Sequence, residues 1–323
     1  MALTQLGKRK IEKLERLAEL SAINAGERGE SLWREAFKRV RHNPAAIVGA
    51  VILAIFVLVA VIGPFFVPYS PKDTRWIDQV SVARNIIPGP SADHWLGLDH
   101  NGRDVFSRMV VGAQKTLLVG IVATAIGLFF GCLLGGLSGA AYGLGGKAGR
   151  RLDNVLMRFV DMLLAMPALL LAVSIVAILR PSLVTVMIAV GVVAVPTFAR
   201  LLRGSMIAQS NAEYVVASTS LGVSRPRIAF GHMLPNSLAP VIVQATLTLA
   251  TAIIEAAGLS FLGLGTPDPS EPEWGTMLND ALQTFEYAPR LALFPAVGII
   301  ITALGFTLLG EALREALDPK LRK

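Results

Sequence analysis

The residues in this sequence that could do chemistry do not assemble into a catalytic set. The stretch from Gly143 to Asp153, GLGGKAGRRLD, is the place to look for a nucleotide cradle. A phosphate-binding loop needs two glycines five residues apart, then Lys, then Ser or Thr. Here Ala141 stands five residues before Gly146, and Lys147 is followed by Ala148. The four histidines, His42, His94, His100 and His232, do not form a metal-ligand set. His94 and His100 lack the i, i+4 spacing and the carboxylate partner of a zinc helix. No G-x-S-x-G elbow occurs, and the single cysteine, Cys132, has neither a nearby base nor a cysteine to pair with. No catalytic site, metal or cofactor is therefore expected on this chain. Glu255 stands apart as an ionisable group inside an apolar run, with Gln244 on the same helix. Such a group faces a transport path or gate, or sits at an interface where water reaches it. Both readings stay open.

The elements that must position these residues are membrane helices. The 323 residues are 53% hydrophobic and 16% charged, with a mean hydropathy of +0.58. Several uncharged runs reach the ~20 residues a spanning helix needs. The expected fold class is an all-α membrane protein with six transmembrane helices, not a soluble two-domain enzyme. A charged segment, 1–44, comes first, with no cleavable signal peptide ahead of the first apolar run. Within it, Trp33, Phe37 and Val40 alternate with Arg34, Lys38, Arg39 and Arg41, the pattern of an interfacial helix over 31–43 lying on lipid. The first span is expected at 45–67 and a hydrophilic excursion at 68–112. A core of five more spans fills 113–313, at about 116–142, 154–179, 181–199, 236–257 and 291–310, before a tail at 314–323. Pro167 should kink the third span, and Arg158 should pair with Asp161 at i, i+3. Gly127, Gly131, Gly135, Gly139 and Gly143 recur every four residues, a flat face for close helix packing.

The net charge of +7 follows topology rather than nucleic-acid affinity. With six spans both termini share a side, and that side collects 22 of the 30 Lys and Arg residues. The other side holds Lys72, Arg75, Arg84, Arg103, Arg108, Lys115, Arg180 and Arg290. The positive-inside rule then puts both termini in the cytoplasm, together with the loop at 211–235.

That loop is the longest late polar interruption: NAEYVVASTSLGVSRPRIAFGHMLPN, Asn211 to Asn236. Gly222 separates two short helical pieces; Ser224 can cap the second, and Pro226 fits its first turn. Glu213, Ala217, Gly222, Ile228 and Leu234-Pro235 resemble the "EAA" loop of binding-protein-dependent ABC importer permeases, with Ser218 standing where a second alanine is common. Two further blocks carry a narrower resemblance, to the dipeptide/oligopeptide/nickel branch of that family. They are HWLGLDHNGRDVFSRMVVGAQKTLLVG, His94 to Gly120, and EAAGLSFLGLGTPDPSEPEWGTMLND, Glu255 to Asp280.

The resemblance covers residues 31–323 and implies a type I ABC importer permease fold in a bacterial cytoplasmic (inner) membrane. It implies as partners a homologous second permease, two ATPase subunits that bind ATP and Mg, and an extracytoplasmic substrate-binding protein, with membrane lipid around them. Glu213, Tyr214, Ala217, Ser218, Leu221, Gly222, Arg227, Leu234 and Pro235 would then form the segment that docks on an ATPase subunit. Asp268, Glu271, Glu273 and Asp280, with Asp99, Arg103 and Asp104, would offer the docking surface for the binding protein. Di- or oligopeptides are the expected cargo, with nickel chelates or another small solute as the alternative within the family. A stand-alone secondary transporter or channel is the rival class, but no internal repeat is evident.

Overall fold

The computed structural model describes residues 38–317. The expected interfacial helix over 31–43 lies mostly outside the described residues; 38–42 are helical. Among the described residues the chain is almost wholly helical, with two isolated bridges, Ser81 to Ile86 and Leu98 to Asp104, in place of a sheet.

The first helix, α1 (Pro44–Ile62), opens at Asn43, whose Oδ1 accepts from the backbone N–H of Ala45 at 2.9 Å, and Pro44 fits its first turn. Its 19 residues span about 28 Å. An excursion with short 3-10 turns follows. α2 (Val105–Leu144) is then 40 residues long and starts well before the expected 116. Asp104 sets that start, accepting from the Ser107 N–H at 2.7 Å and its hydroxyl at 2.8 Å. α3 (Gly146–Leu164) and α4 (Ala168–Leu179) replace the expected single third span and meet at a 90° bend. α5 (Leu183–Gln209) is capped by Ser182. After the polar segment come α8 (Ala239–Phe261), a short α9 (Trp274–Ala281) and α10 (Arg290–Leu317). The two helices inside the polar segment are α6 (Glu213–Ser220) and α7 (Arg225–Ile228).

The glycine ridge of α2 fixes how these helices run. A Cβ on Gly127 would lie 2.6 Å from Ala194 Cβ, one on Gly131 2.5 Å from Phe198 Cβ, and one on Gly139 2.8 Å from Met206 Cβ. Gly143 meets Ser210 in the same way. Numbers rise together along both helices, so α2 and α5 are parallel neighbours. Two parallel crossings need a return between them, and α3 with α4 supplies it. α3 leaves the end of α2 with Gly149 under Ala141. The Ala172 and Val176 side chains of α4 join Val119 and Ala123 of α2 in one apolar cluster. The bent pair is thus one broken crossing. Gly63 beside Val110 and Gly49 beside Gly305 set α1 antiparallel to α2 and α10, and Gly120 beside Ile253 sets α8 antiparallel to α2. Among the described residues six crossings alternate, and the described ends meet where Asn43 Nδ2 donates to Glu315 Oε2 at 3.2 Å. That end, the foot, also carries α6 and α7.

Candidate coupling segment and outer clasp

At the foot, α6 and α7 hang from the long helices by a few apolar side chains. Val215 and Ile228 are buried with Phe198, Leu202 and Met206 of α5, Val241 of α8, and Met233. The Tyr214 hydroxyl donates to Gln209 Oε1 at 2.9 Å, tying α6 to the end of α5. α6 ends in a Schellman turn: the Gly222 N–H donates to the Thr219 carbonyl at 3.0 Å and the Val223 N–H to the Ser218 carbonyl at 3.1 Å. Gly222 has φ +74, a conformation that a Cβ disfavours, while no other atom lies within 4 Å of where that Cβ would sit. Ser224 stands at the N-cap position of α7 but makes no side-chain capping bond, unlike the expectation. A π-helical stretch, Ala229–Met233, then leads to Leu234-Pro235.

What faces outward here mixes polar and apolar side chains. Glu213, Ala217, Leu221, Gly222, Arg227 and Pro235 are exposed, and Leu221 reaches 83%. Tyr214, Ser218 and Leu234 are half-buried, with the Ser218 hydroxyl turned back to the Tyr214 carbonyl at 2.7 Å. Above the segment a polar knot joins three helices. Asp153 of α3 accepts two bonds from Arg203 of α5, at 2.6 and 2.8 Å, and one from Ser138 of α2. Arg203 and Arg150 both stack on Tyr142. Asp161, expected to pair with Arg158, instead meets Arg200 of α5 at 2.6 Å.

The outer end corrects the sequence reading. Asp99, Arg103, Asp104 and Glu273 are each under 8% exposed within this one chain, so they are not a docking surface. Asp104 caps α2 and meets His94 at 3.0 Å, while Asp99 and Arg103 belong to a clasp. Arg103 Nε meets Asp99 at 2.6 Å and its Nη2 reaches Asp280 at 3.5 Å; Arg108, 1% exposed, lies 3.5 Å from Asp99. Arg108 also donates to the carbonyls of Pro71, Pro269 and Ser270, joining the 68–104 and 262–289 loops. Glu271 is taken up by Lys72 and Lys115. Only Asp268 of the proposed acidic set is exposed, and hydrogen bonds from Ser270 hold its carboxyl below the usual range. Burial pushes the His100 ring down beside this clasp. Trp274, buried against Phe56 with its Nε1 donating to the Met109 carbonyl at 2.9 Å, seats α9 among the spans. Arg108, Lys115 and Trp274 escaped the sequence reading, because the spans they hold together are remote in sequence.

Between the two ends, α5 and α8 turn polar and small residues away from α2. α5 exposes Thr197, Arg200, Gly204 and Ala208. α8 sets Gln244, Thr251, Glu255 and Gly258 on one face. Gln244 donates to Thr248 Oγ1 at 3.3 Å, and the Thr246 hydroxyl bonds back to its own helix.

The geometry is that of an alternating bundle of apolar helices, long enough to cross a membrane, with an exposed helix–turn–helix at its foot. Residues 127–323 match the family of binding-protein-dependent transport system inner membrane components, and residues 31–85 match the N-terminal transmembrane domain of oligopeptide transport permease C. The chain belongs to this family of ABC importer permeases. It is 46% identical over 292 residues to the dipeptide transport system permease protein DppC of Alkalihalophilus pseudofirmus, covering 90% of this chain and 91% of that one. It is 39% identical over 311 residues to the oligopeptide transport system permease protein OppC of Bacillus subtilis, covering 94% and 97%. The glutathione transport system permease protein GsiD of Salmonella typhimurium is 41% identical over 290 residues, 90% of this chain and 91% of that one. The fold is shared with a chain of the inward-facing methionine ABC transporter MetNI, at a TM-score of 0.53 and 20% identity, over 65% of this chain and 96% of that one.

Proposed function

We propose that this chain passes short peptides inward across a bacterial cytoplasmic membrane, driven by ATP hydrolysis on separate subunits. Relatives named for dipeptides, oligopeptides and glutathione, itself a short peptide, support that cargo. Two ATPase subunits carrying ATP and Mg, a homologous second permease and an external binding protein complete the assembly. The foot, with α6, α7 and the described chain ends, faces the cytoplasm, in keeping with the bias of Lys and Arg. The observation that carries the mechanism is the exposed face of α6, which together with α7 is held to α5 and α8 by buried Val215 and Ile228. A push on that face is transmitted to the feet of two spans at once. ATP closure of the ATPase pair moves α6, the bundle opens outward to receive cargo, and hydrolysis resets it. Cargo passes along the α5–α8 face, where Gln244 and Glu255 supply polarity.

The test is Gly222→Val in the assembled importer, reconstituted in liposomes with labelled di- and tripeptides. A β-branched residue at φ +74 distorts the end of α6 without touching the spans. The expected result is insertion of the chain with loss of ATP-driven peptide uptake; unchanged uptake would overturn the coupling assignment.

A further inference from the structure

Two ion pairs hold α3 to α5, and they are built differently. Arg203 gives two hydrogen bonds to Asp153, which is 1% exposed and also takes the Ser138 hydroxyl, so this pair is a closed pin. Arg200, one turn nearer the outer end, gives a single bond, from Nη2 to Asp161 Oδ1 at 2.6 Å, and both side chains stay half exposed, at 55% and 50%. A guanidinium carries five N–H donors, so most of the Arg200 fork is unused. The space beside it is open. Gly204, one turn further along the same face, has no atom within 4 Å of where a Cβ would sit, and Thr197 is exposed one turn before it.

This open pair sits within a crossing, with Arg200 about 14 Å above the foot end of α5. A half-exposed charge at that depth is too costly against acyl chains and faces water or protein. Val241 of α8 is buried with Phe198, Leu202 and Met206 of α5. Because α8 runs antiparallel to α5, Gln244 comes to the level of Arg200 on the polar face. Glu255 lies three turns, about 16 Å, further out along α8. A dipeptide spans about 7 Å and cannot touch both Arg200 and Glu255.

Resting on the importer reading above, we propose that Arg200 seats the C-terminal carboxylate of the peptide in the inner half of the path. Asp161 is the counter-ion that Arg200 exchanges for that carboxylate. A cargo carboxylate meets the guanidinium fork with two parallel N–H bonds, where Asp161 takes one. Gln244 offers its amide to the peptide backbone at the same level. While the carboxylate is seated, Asp161 is released, and the Arg203 pin keeps α3 on α5.

The experiment is ATP-driven uptake by the assembled importer in liposomes, comparing labelled alanyl-alanine with its C-terminal amide. The binding protein is the same in every sample, so its own preference cancels when the ratio of free acid to amide is compared between variants. Arg200→Gln should lower that ratio about tenfold, the worth of a hydrogen bond to a charged group. Asp161→Asn should keep or raise it, since Arg200 then has no competing carboxylate. The double variant R200Q/D161N strands no charge and should match R200Q, which keeps the test open where R200Q alone fails to assemble. An unmoved ratio in R200Q or the double variant, or an equal fall in D161N, would overturn the seat and leave a structural ion pair. No ATP-driven uptake of either peptide by wild type would overturn the importer reading itself, and the seat with it.

Discussion

Arg108 shows how much one side chain can constrain the outer end. Its guanidinium is 1% exposed and reaches two carboxylates and three carbonyls drawn from both outer loops. Arg108→Met removes the cation while Asp99 and Asp280 stay buried or half-buried beside Arg103 alone. Breaking a buried ion network from one side costs about 3–5 kcal/mol, so a large drop in melting temperature is expected. Arg108→Lys should recover little, because a point ammonium cannot reproduce a planar fork that bonds three carbonyls. A melting curve for R108K close to wild type would contradict that geometry. The types of Asp99, Arg103 and Asp104 were legible in the sequence, but their burial was not. The role of Asp99 and Arg103 depends on Asp280 and the Pro269 carbonyl, more than 160 residues downstream of Arg103, and a loop read without those partners looks solvated.

Among elements, the α2–α5 pair is the spine, and its contact is made by absent side chains. The period-four glycines were readable as a packing face, whereas the partner helix and its parallel direction were not. Parallel neighbours require an intervening crossing, and that crossing is broken. Pro167 announced a kink, yet the 90° angle depends on how α3 and α4 pack on either side of it. The early start of α2 was hidden for another reason: Arg108 and Lys115 read as loop residues until the clasp that neutralises them is seen. Gly131→Leu tests the spine. Its branches would have to enter space where even a methyl lies 2.5 Å from Phe198 Cβ and 2.7 Å from the Val195 carbonyl. Overpacking of this kind costs about 1–3 kcal/mol, read as a lower melting temperature. Gly204→Ala on the opposite face of α5 meets no atom within 4 Å and should melt as wild type or slightly higher. Equal losses in both variants would mean that the ridge is not the contact.

The whole molecule has two unlike surfaces, and the difference says where the second permease of the proposed assembly would sit. One surface is apolar: Ile47, Val51, Ile55 and Leu58 of α1, Phe129, Phe130 and Leu133 of α2, and Ile300 and Leu304 of α10 are all exposed. That surface suits acyl chains. A different surface carries the exposed break at Ala165, Met166 and Pro167, flanked by the exposed apolar stripe Val155, Phe159 and Met162 of α3. Irregular backbone within a crossing cannot face lipid, which offers no hydrogen bonds; it must be covered by protein or line water. The stripe favours protein against α3–α4, which leaves the polar face of α5 and α8 for the proposed cargo path. A photoreactive benzoylphenylalanine at position 166 should therefore cross-link to the second permease in the assembled importer. The same residue at position 300 should give lipid adducts only. Adducts distributed the other way round would turn the bundle about its axis and place the transport path on the α1–α10 side.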